Sequence, residues 1–264
     1  MKIVFIGSGN MGCAMMKGMV ASGEVAAADL IATAAHGSHF AALQALGIET
    51  TTDNRAAAAQ ADVLFLAIKP YQFADVVPQI CAAVPPEALI VSIAAGQTLA
   101  GVQALFGGGR RIVRLLPNTP AMVGESMTAY CKNELVTEAD CALVRTLSAC
   151  YGVAEEIPER LMNAVIGLTA PASVYLFIEA LADGAVREGL PRAQAYRFAA
   201  QTVLGAAKMV RESGRHPGTL KDDVCSPGGT TIEGIAKLEE CGLRHAVIAA
   251  VHASTEKAAR MDRG

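Results

Sequence analysis

A chain of 264 residues is long enough for a large core in one or two domains. Its formal net charge of −3 gives no electrostatic case for nucleic acid or an anionic membrane surface as partner. The seven cysteines are odd in number, scattered and never spaced as CxxC. That pattern points to a reducing compartment, the cytosol, and away from a disulfide framework or a zinc site. The five histidines show no ligand spacing, so no structural metal is expected.

Ile3 to Ile6 form a charge-free, β-rich run starting too early to leave a signal-peptide pattern. A helical pattern, Asn10 to Ser22, opens directly after it. Between them lies Gly7-x-Gly9-x-x-Gly12. Gly7 permits a tight turn, Gly9 lets a pyrophosphate approach the backbone, and Gly12 lets the helix pack close to the strand. The strand-then-helix context that this spacing requires is present, so Ile6, Gly7, Ser8, Gly9, Asn10, Met11 and Gly12 are read as a dinucleotide-binding turn. Leu30 to Thr33 reads as the second strand, whose end meets the adenosine ribose in such folds. An acid there selects NAD, and a basic residue accommodates a 2′-phosphate. The segment Thr33-Ala-Ala-His36-Gly-Ser38 has neither. With nothing to repel a phosphate, NADP is favoured, NADH stays possible, and Thr33, His36 and Ser38 are candidate donors.

A helix from Phe40 to Leu46 stops at Gly47, and Ile48 to Thr51 reads as a third strand. Ala56 to Ala61 is helix-forming, and Val63 to Ile68 is a fully apolar strand ended by Lys69-Pro70. Ala88 to Ile93 is the next strand, followed by the Ala94-Ala95-Gly96 turn and a helix from Thr98 to Phe106 that Gly107 to Gly109 breaks. Arg111 to Leu116 leads into Pro117-Asn118-Thr119-Pro120; its arginines, with Arg110, read as a solvated or cofactor-facing strand end. Met127 to Cys131 and Gly152 to Ile157 flank a helix from Glu138 to Tyr151. This alternation predicts an α/β unit over residues 1–157, a Rossmann-type doubly wound parallel sheet.

From residue 158 only helical periods remain, at 169–189, 191–214, 230–241 and 243–261, which predicts an all-α domain over residues 158–264. Leu161 to Ile178 lacks charge, but Asn163, Thr169, Pro171 and Ser173 interrupt it, so it reads as a buried helix rather than a membrane span. So few long helices cannot bury every apolar face alone, so the helical part predicts a homodimer or dimer-based oligomer. The stretch His216 to Thr231 also stands out. Ser226-Pro-Gly228-Gly229 breaks one helix and Thr230-Thr231 opens another, and N–H groups and hydroxyls at a helix start can receive a carboxylate. Capping and a tight connector explain the same residues equally well.

Taken together, several motifs resemble the pyrroline-5-carboxylate reductase family. They are FIGSGNMG at Phe5–Gly12, AIKP at Ala67–Pro70, SIAAG at Ser92–Gly96, PNTP at Pro117–Pro120, ALADGAVREGLPR at Ala180–Arg192 and HPGTLKDDVCSPGGTT at His216–Thr231. The likeness runs in register over essentially the whole chain. It implies hydride transfer from NAD(P)H to the imine carbon of 1-pyrroline-5-carboxylate, giving L-proline in the last step of proline biosynthesis. It also implies that Ser226, Gly228, Gly229 and Thr230 hold the substrate carboxylate, that Asp223 lies near the substrate, and that Thr231 presents its hydroxyl to the imine nitrogen. On the cofactor side it implies Asn54 at the adenosine portion, Ala67, Ile68 and Lys69 along the crevice, and small Ala94 and Ala95 against the nicotinamide. Asn118 is a ligand group or a turn stabiliser. One departure is visible: the family pattern resembling GLSGSGPAY reads Gly167-Leu-Thr-Ala-Pro-Ala-Ser-Val-Tyr175 here. Its extra Cβ atoms leave open a related cyclic imino acid as substrate, or a catalytically silent NADP-binding regulatory protein.

Overall fold

Ile3 to Ile6 carry apolar side chains on both faces of an extended run, which is stable only where both faces are covered. In the computed structural model, which describes residues 1–261, this run is β1 (Ile3–Ile6), and all four of its residues are fully buried. It is followed by α1 (Asn10–Ser22), β2 (Leu30–Thr33), α2 (Phe40–Gln44), β3 (Glu49–Thr51), α3 (Asn54–Ala58) and β4 (Val63–Leu66). Next come α4 (Phe73–Ile80), β5 (Leu89–Ser92), α5 (Leu99–Leu105), β6 (Arg111–Leu116), β7 (Ser126–Lys132), α6 (Glu138–Ala149) and β8 (Gly152–Glu156). The strands form one sheet in the order β3-β2-β1-β4-β5-β6-β7-β8.

β1 to β6 are parallel, but β7 runs antiparallel to β6. Only a short 3₁₀ turn, Thr119–Val123, joins the two, and a parallel pair needs a longer crossover. α6 supplies such a crossover, and β8 is parallel to β7. One face of the sheet is covered by α1, α2 and α6 around Phe5 and Phe65, whose rings stack at 4.4 Å. The other is covered by α3, α4 and α5 around Ile6, Leu66 and Ile90. Each such side chain contributes about 1.5–3 kcal/mol by leaving water. The strand order reverses between β1 and β4, which opens a crevice outside their carboxyl ends.

The arginines of β6 depart from the solvated or cofactor-facing end read in sequence. Arg110 donates to the carbonyls of Cys81, Val84 and Pro85, Arg111 pairs with Asp140 at 2.7 Å, and Arg114 is 1 % exposed. Arg110 and Arg111 tie the start of β6 to the segment after α4 and to α6, and Arg114 lies inside the sheet.

The helical region also begins differently. A 3₁₀ turn (Glu159–Leu161) and α7 (Met162–Thr169) belong with the sheet, where Met162 is fully buried beside Leu116 and Ala129. α8 (Ala172–Arg187), α9 (Arg192–Ser213), α10 (Pro217–Val224), α11 (Thr230–Glu240) and α12 (Leu243–Met261) follow. The compact units are residues 1–169 with 252–261, and Ala170–Val251. By packing, α7 goes with the sheet, and the second compact unit begins at Ala170, inside the helical region read from residue 158 on. The end of α12 returns to the first unit: a Cβ built on Gly96 would be 3.6 Å from that of Met261. The expected buried helix over Leu161 to Ile178 is two helices, broken at Ala170-Pro171. Pro171 has no N–H to extend α7. By length and composition Glu159–Arg187 is apolar enough to cross a membrane. α8 itself is largely exposed, with Tyr175 at 58 % and Leu176 at 66 %. Within the second unit α8 and α9 meet through the buried Ala182, Ala195 and Ala199.

Gly18 of α1 faces the α6–β8 turn, and a Cβ there would come within 2.8 Å of the Tyr151 Cβ and 2.9 Å of the Cys150 carbonyl oxygen. Helix propensity favours Gly18→Ala by about 1 kcal/mol, yet overpacking against backbone costs about 1–3 kcal/mol. The expected outcome is a net loss of stability, read as a lower urea midpoint; a raised midpoint refutes the contact.

Candidate functional site

At the crevice the Ala67 N–H donates to the Ile6 carbonyl at 2.8 Å, drawing the ends of β1 and β4 together. The chain then turns at Gly7, with φ +101°, where a Cβ would be 2.6 Å from the Ala67 carbonyl oxygen. Gly12 is similarly confined, since a Cβ there would meet the Gly7 carbonyl oxygen at 2.9 Å. Gly9 is the opposite case: nothing lies within 4 Å of the place its Cβ would take. The turn is thus closed toward the sheet and open at Gly9. Gly9 is also the N-cap of α1, without a side-chain cap, so the first amides of the helix remain available. Ser8 is 3 % exposed and its Oγ has no hydrogen-bond partner. An orphaned hydroxyl beside open helix amides fits an anionic group such as a pyrophosphate.

Around this turn Asn10 is exposed, Met11 half-buried, and Ile6 buried in the core so that only its main chain borders the crevice. Ala67 and Ile68 are half-buried and Lys69 is exposed, its N–H donating to Gln72 Oε1 at 3.0 Å. Ala94 is buried and Ala95 half-buried past the end of β5. Asn54 is half-buried at the start of α3, whose N-cap Asp53 accepts the N–H groups of Arg55 and Ala56. His36 and Ser38 are exposed. Thr33 corrects the sequence reading. It is fully buried, and its Oγ1 accepts the Gly7 N–H at 3.2 Å. It anchors the glycine turn from behind instead of facing a ribose. A cavity of about 530 Å³ lies elsewhere, along α1 from Asn10 past Lys17 toward Met122, and shares only Asn10 with the turn.

In the second unit, Cys225 ends α10, Gly228 takes φ +67°, and Gly229 is the N-cap of α11. The Gly229 N–H closes the loop on the Ser226 carbonyl at 3.0 Å. No side chain caps α11. Ser226, Thr230 and Thr231 are exposed. Gly228 and Gly229 form the tight connector, and the exposed hydroxyls of Ser226, Thr230 and Thr231 are left without a capping hydrogen bond. Asp223 is not free: it pairs with Arg215 at 2.7 Å.

Residues 159–261 match the family model described as pyrroline-5-carboxylate reductase dimerisation, and residues 2–96 match NADP oxidoreductase, coenzyme F420-dependent. The pyrroline-5-carboxylate reductase of Escherichia coli K12 is 46 % identical, over 99 % of this chain and 98 % of the relative. That of Methanosarcina acetivorans is 42 % identical, over 97 % and 96 %. The chain belongs to the pyrroline-5-carboxylate reductase family.

Solved members agree in fold. The Coxiella burnetii pyrroline-5-carboxylate reductase superposes with a TM-score of 0.93 at 32 % identity, over 98 % of both chains. The Plasmodium falciparum pyrroline carboxylate reductase, crystallised with NADP bound, gives 0.90 at 30 % identity, over 99 % of this chain and 98 % of its own. Asn118, read in sequence as a ligand group or a turn stabiliser, has local partners in the structure. Its Nδ2 donates to the Thr169 carbonyl at 3.0 Å, and its Oδ1 accepts from Ser126 Oγ at 3.1 Å and Met127 N at 3.0 Å. These bonds join β6, β7 and α7, the contacts a turn stabiliser makes. Sequence reasoning missed Ser126 and Glu159. The Leu99 N–H donates to Glu159 Oε1 at 2.7 Å, across 60 residues of chain, and no local pattern announces that contact.

Because Gly9 has open space and its φ is ordinary, Gly9→Ala is expected to fold with an unchanged melting temperature. Its methyl group would nevertheless occupy the pyrophosphate approach, so NADPH affinity is expected to fall about tenfold or more, about 1.4 kcal/mol. Titration of NADPH fluorescence checks this, and undiminished affinity removes the turn from the cofactor site.

Proposed function

We propose that the chain reduces 1-pyrroline-5-carboxylate to L-proline with NAD(P)H. The observation that carries this reading is near-full-length identity to reductases of that name, combined with free hydroxyls in the Ser226–Thr231 loop. When bound, NADPH supplies the hydride that the imine carbon accepts. The amides after Gly9 and the Ser8 hydroxyl hold its pyrophosphate, and Asn54 meets the adenosine portion. Ala67, Ile68 and Lys69 line the crevice, and Ala94 and Ala95 leave room for a flat ring. NADPH is the cofactor we assign first, because Thr33 to Ser38 presents no carboxylate to a 2′-phosphate.

The substrate carboxylate suits the α11 start, a helix N-terminus opened by Gly229, with the Ser226 hydroxyl exposed in the same loop. Thr231 then directs its hydroxyl to the imine nitrogen. Threonine has no pKa near neutrality, so it orients the ring or relays a proton from water. Most of the rate comes from holding the imine carbon at hydride distance. The products balance as one hydride on carbon and one proton on nitrogen.

Replacing the hydroxyl by Thr231→Ala is expected to lower kcat by about 10–100-fold while NADPH affinity changes less than about twofold. Steady-state NADPH oxidation with 1-pyrroline-5-carboxylate, beside a binding titration, measures both. Undiminished turnover removes Thr231 from the chemistry.

The cytosol is the compartment we assign, and all seven cysteines are unpaired. A homodimer or dimer-based oligomer is the assembly we assign. Supporting it, the second unit exposes Leu176 at 66 %, Phe198 at 65 %, Leu204 at 57 % and Ile248 at 69 %, more apolar surface than a lone helical unit ordinarily leaves in water. The expected species in sedimentation velocity is a dimer or a multiple of it, which the double variant Leu176→Glu, Ile248→Glu weakens. A wild-type monomer at micromolar concentration contradicts the assignment.

A further inference from the structure

Glu159 lies in the 3₁₀ turn after β8, yet it touches α5, which leaves the Ala94-Ala95-Gly96 turn, and β6, the strand beside the one that enters it. Its Oε1 accepts the Leu99 N–H at 2.7 Å, and Leu99 is the first residue of α5, just past that turn. The same oxygen is 3.5 Å from Nη1 of Arg114. Arg114, 1 % exposed, stands level with Ser92, the last residue of β5, and with Cys131 on β7. One carboxylate therefore ties the helix that leaves the turn to the strand beside the one that enters it.

Helix stability alone does not call for this contact. α5 already has its own cap, since Thr98 Oγ1 accepts the Gly101 N–H at 3.0 Å. A buried guanidinium does need an anion beside it. Glu159 meets both demands at once. Among the described residues, the hydrogen bonds and ion pairs of Glu159 do not reach the Gly7–Gly12 turn on β1 and α1.

We propose that Glu159 is a positioning residue for the nicotinamide end of the cofactor, fixing the Ala94–Gly96 turn through Leu99 and Arg114. The pyrophosphate end is held independently at Gly7–Gly12. The inference rests on the reductase reading, in which that turn borders the nicotinamide.

The test compares two ligands, NADPH and 2′-phospho-ADP-ribose, which keeps the pyrophosphate but lacks the nicotinamide. Their affinities are measured by titration of the full chain, beside steady-state turnover. Glu159→Ala is expected to leave the fragment's affinity within about twofold while NADPH binding falls about fivefold and kcat about tenfold. Glu159→Gln, whose carbonyl oxygen can accept the same N–H, is expected to recover at least half of the NADPH-to-fragment ratio. Glu159→Asp keeps the charge near Arg114 but withdraws it from Leu99, and is expected to lower the ratio as the alanine variant does. It carries the test should the alanine variant not fold. An unchanged ratio in either shortened variant overturns the proposal, and so does equal weakening of both ligands, or a Gln variant no better than Ala. A wild-type chain that binds NADPH but reduces no 1-pyrroline-5-carboxylate would refute the reductase reading instead, and the ratio would still report on Glu159.

Discussion

The missing side chain at Gly7 lets three strand ends meet at one point. Its N–H reaches Thr33 at the end of β2, its α-carbon lies against the Ala67 carbonyl at the end of β4, and Ile6 beside it pairs with Ala67. Any Cβ would separate β1 from β4 at the place where the strand order reverses, and the crevice would lose its floor. Backbone in a left-handed conformation and a carbonyl at 2.6 Å from the absent Cβ leave no residue but glycine. The position of α1, and with it the free amides at Gly9, follows from that single contact.

The helix starts divide by use. α3, α5, α6 and α10 are closed by their own side chains, from Asp53, Thr98, Thr137 and His216. α1 and α11 begin on glycines and leave their first amides open. These are the two places where the reductase reading needs an anion, a pyrophosphate at one and a carboxylate at the other. The fold thus seals four helices with local polar groups; α2, α4, α8 and α9 also lack a side-chain cap, but α1 and α11 open on a glycine N-cap, one in each compact unit.

How much could be read beforehand depended on the range of the interactions. The glycine turn, the alternation of β1 to β6 and the Ser226–Thr231 loop were legible because turn chemistry and apolar periodicity act within a few residues. The direction of β7 was not, since it depends on how little chain separates it from β6. Thr33 read as a free donor because nothing nearby shows that the Gly7 amide, 26 residues back, would claim it. Arg114 sits in an apolar strand as a charge without a visible partner; its carboxylate comes from 45 residues further on. Asn118 was left between two roles, and one of its partners, the carbonyl of Thr169, lies 51 residues away. The break at Ala170-Pro171 was partly visible, for the proline was there to be seen, but the exposure of α8 depends on what covers it.

A glycine at the head of α11 has a thermodynamic cost, though a small one. Relative to Ser or Asp at that position the helix gives up a few tenths of a kcal/mol, and its opening turn is left to solvent water. That makes the Thr230 and Thr231 amides a local soft spot, where protons exchange with deuterium well before those deep in α11. A carboxylate settling there would organise the turn as it binds, so ligand capture and the last step of local folding become one event.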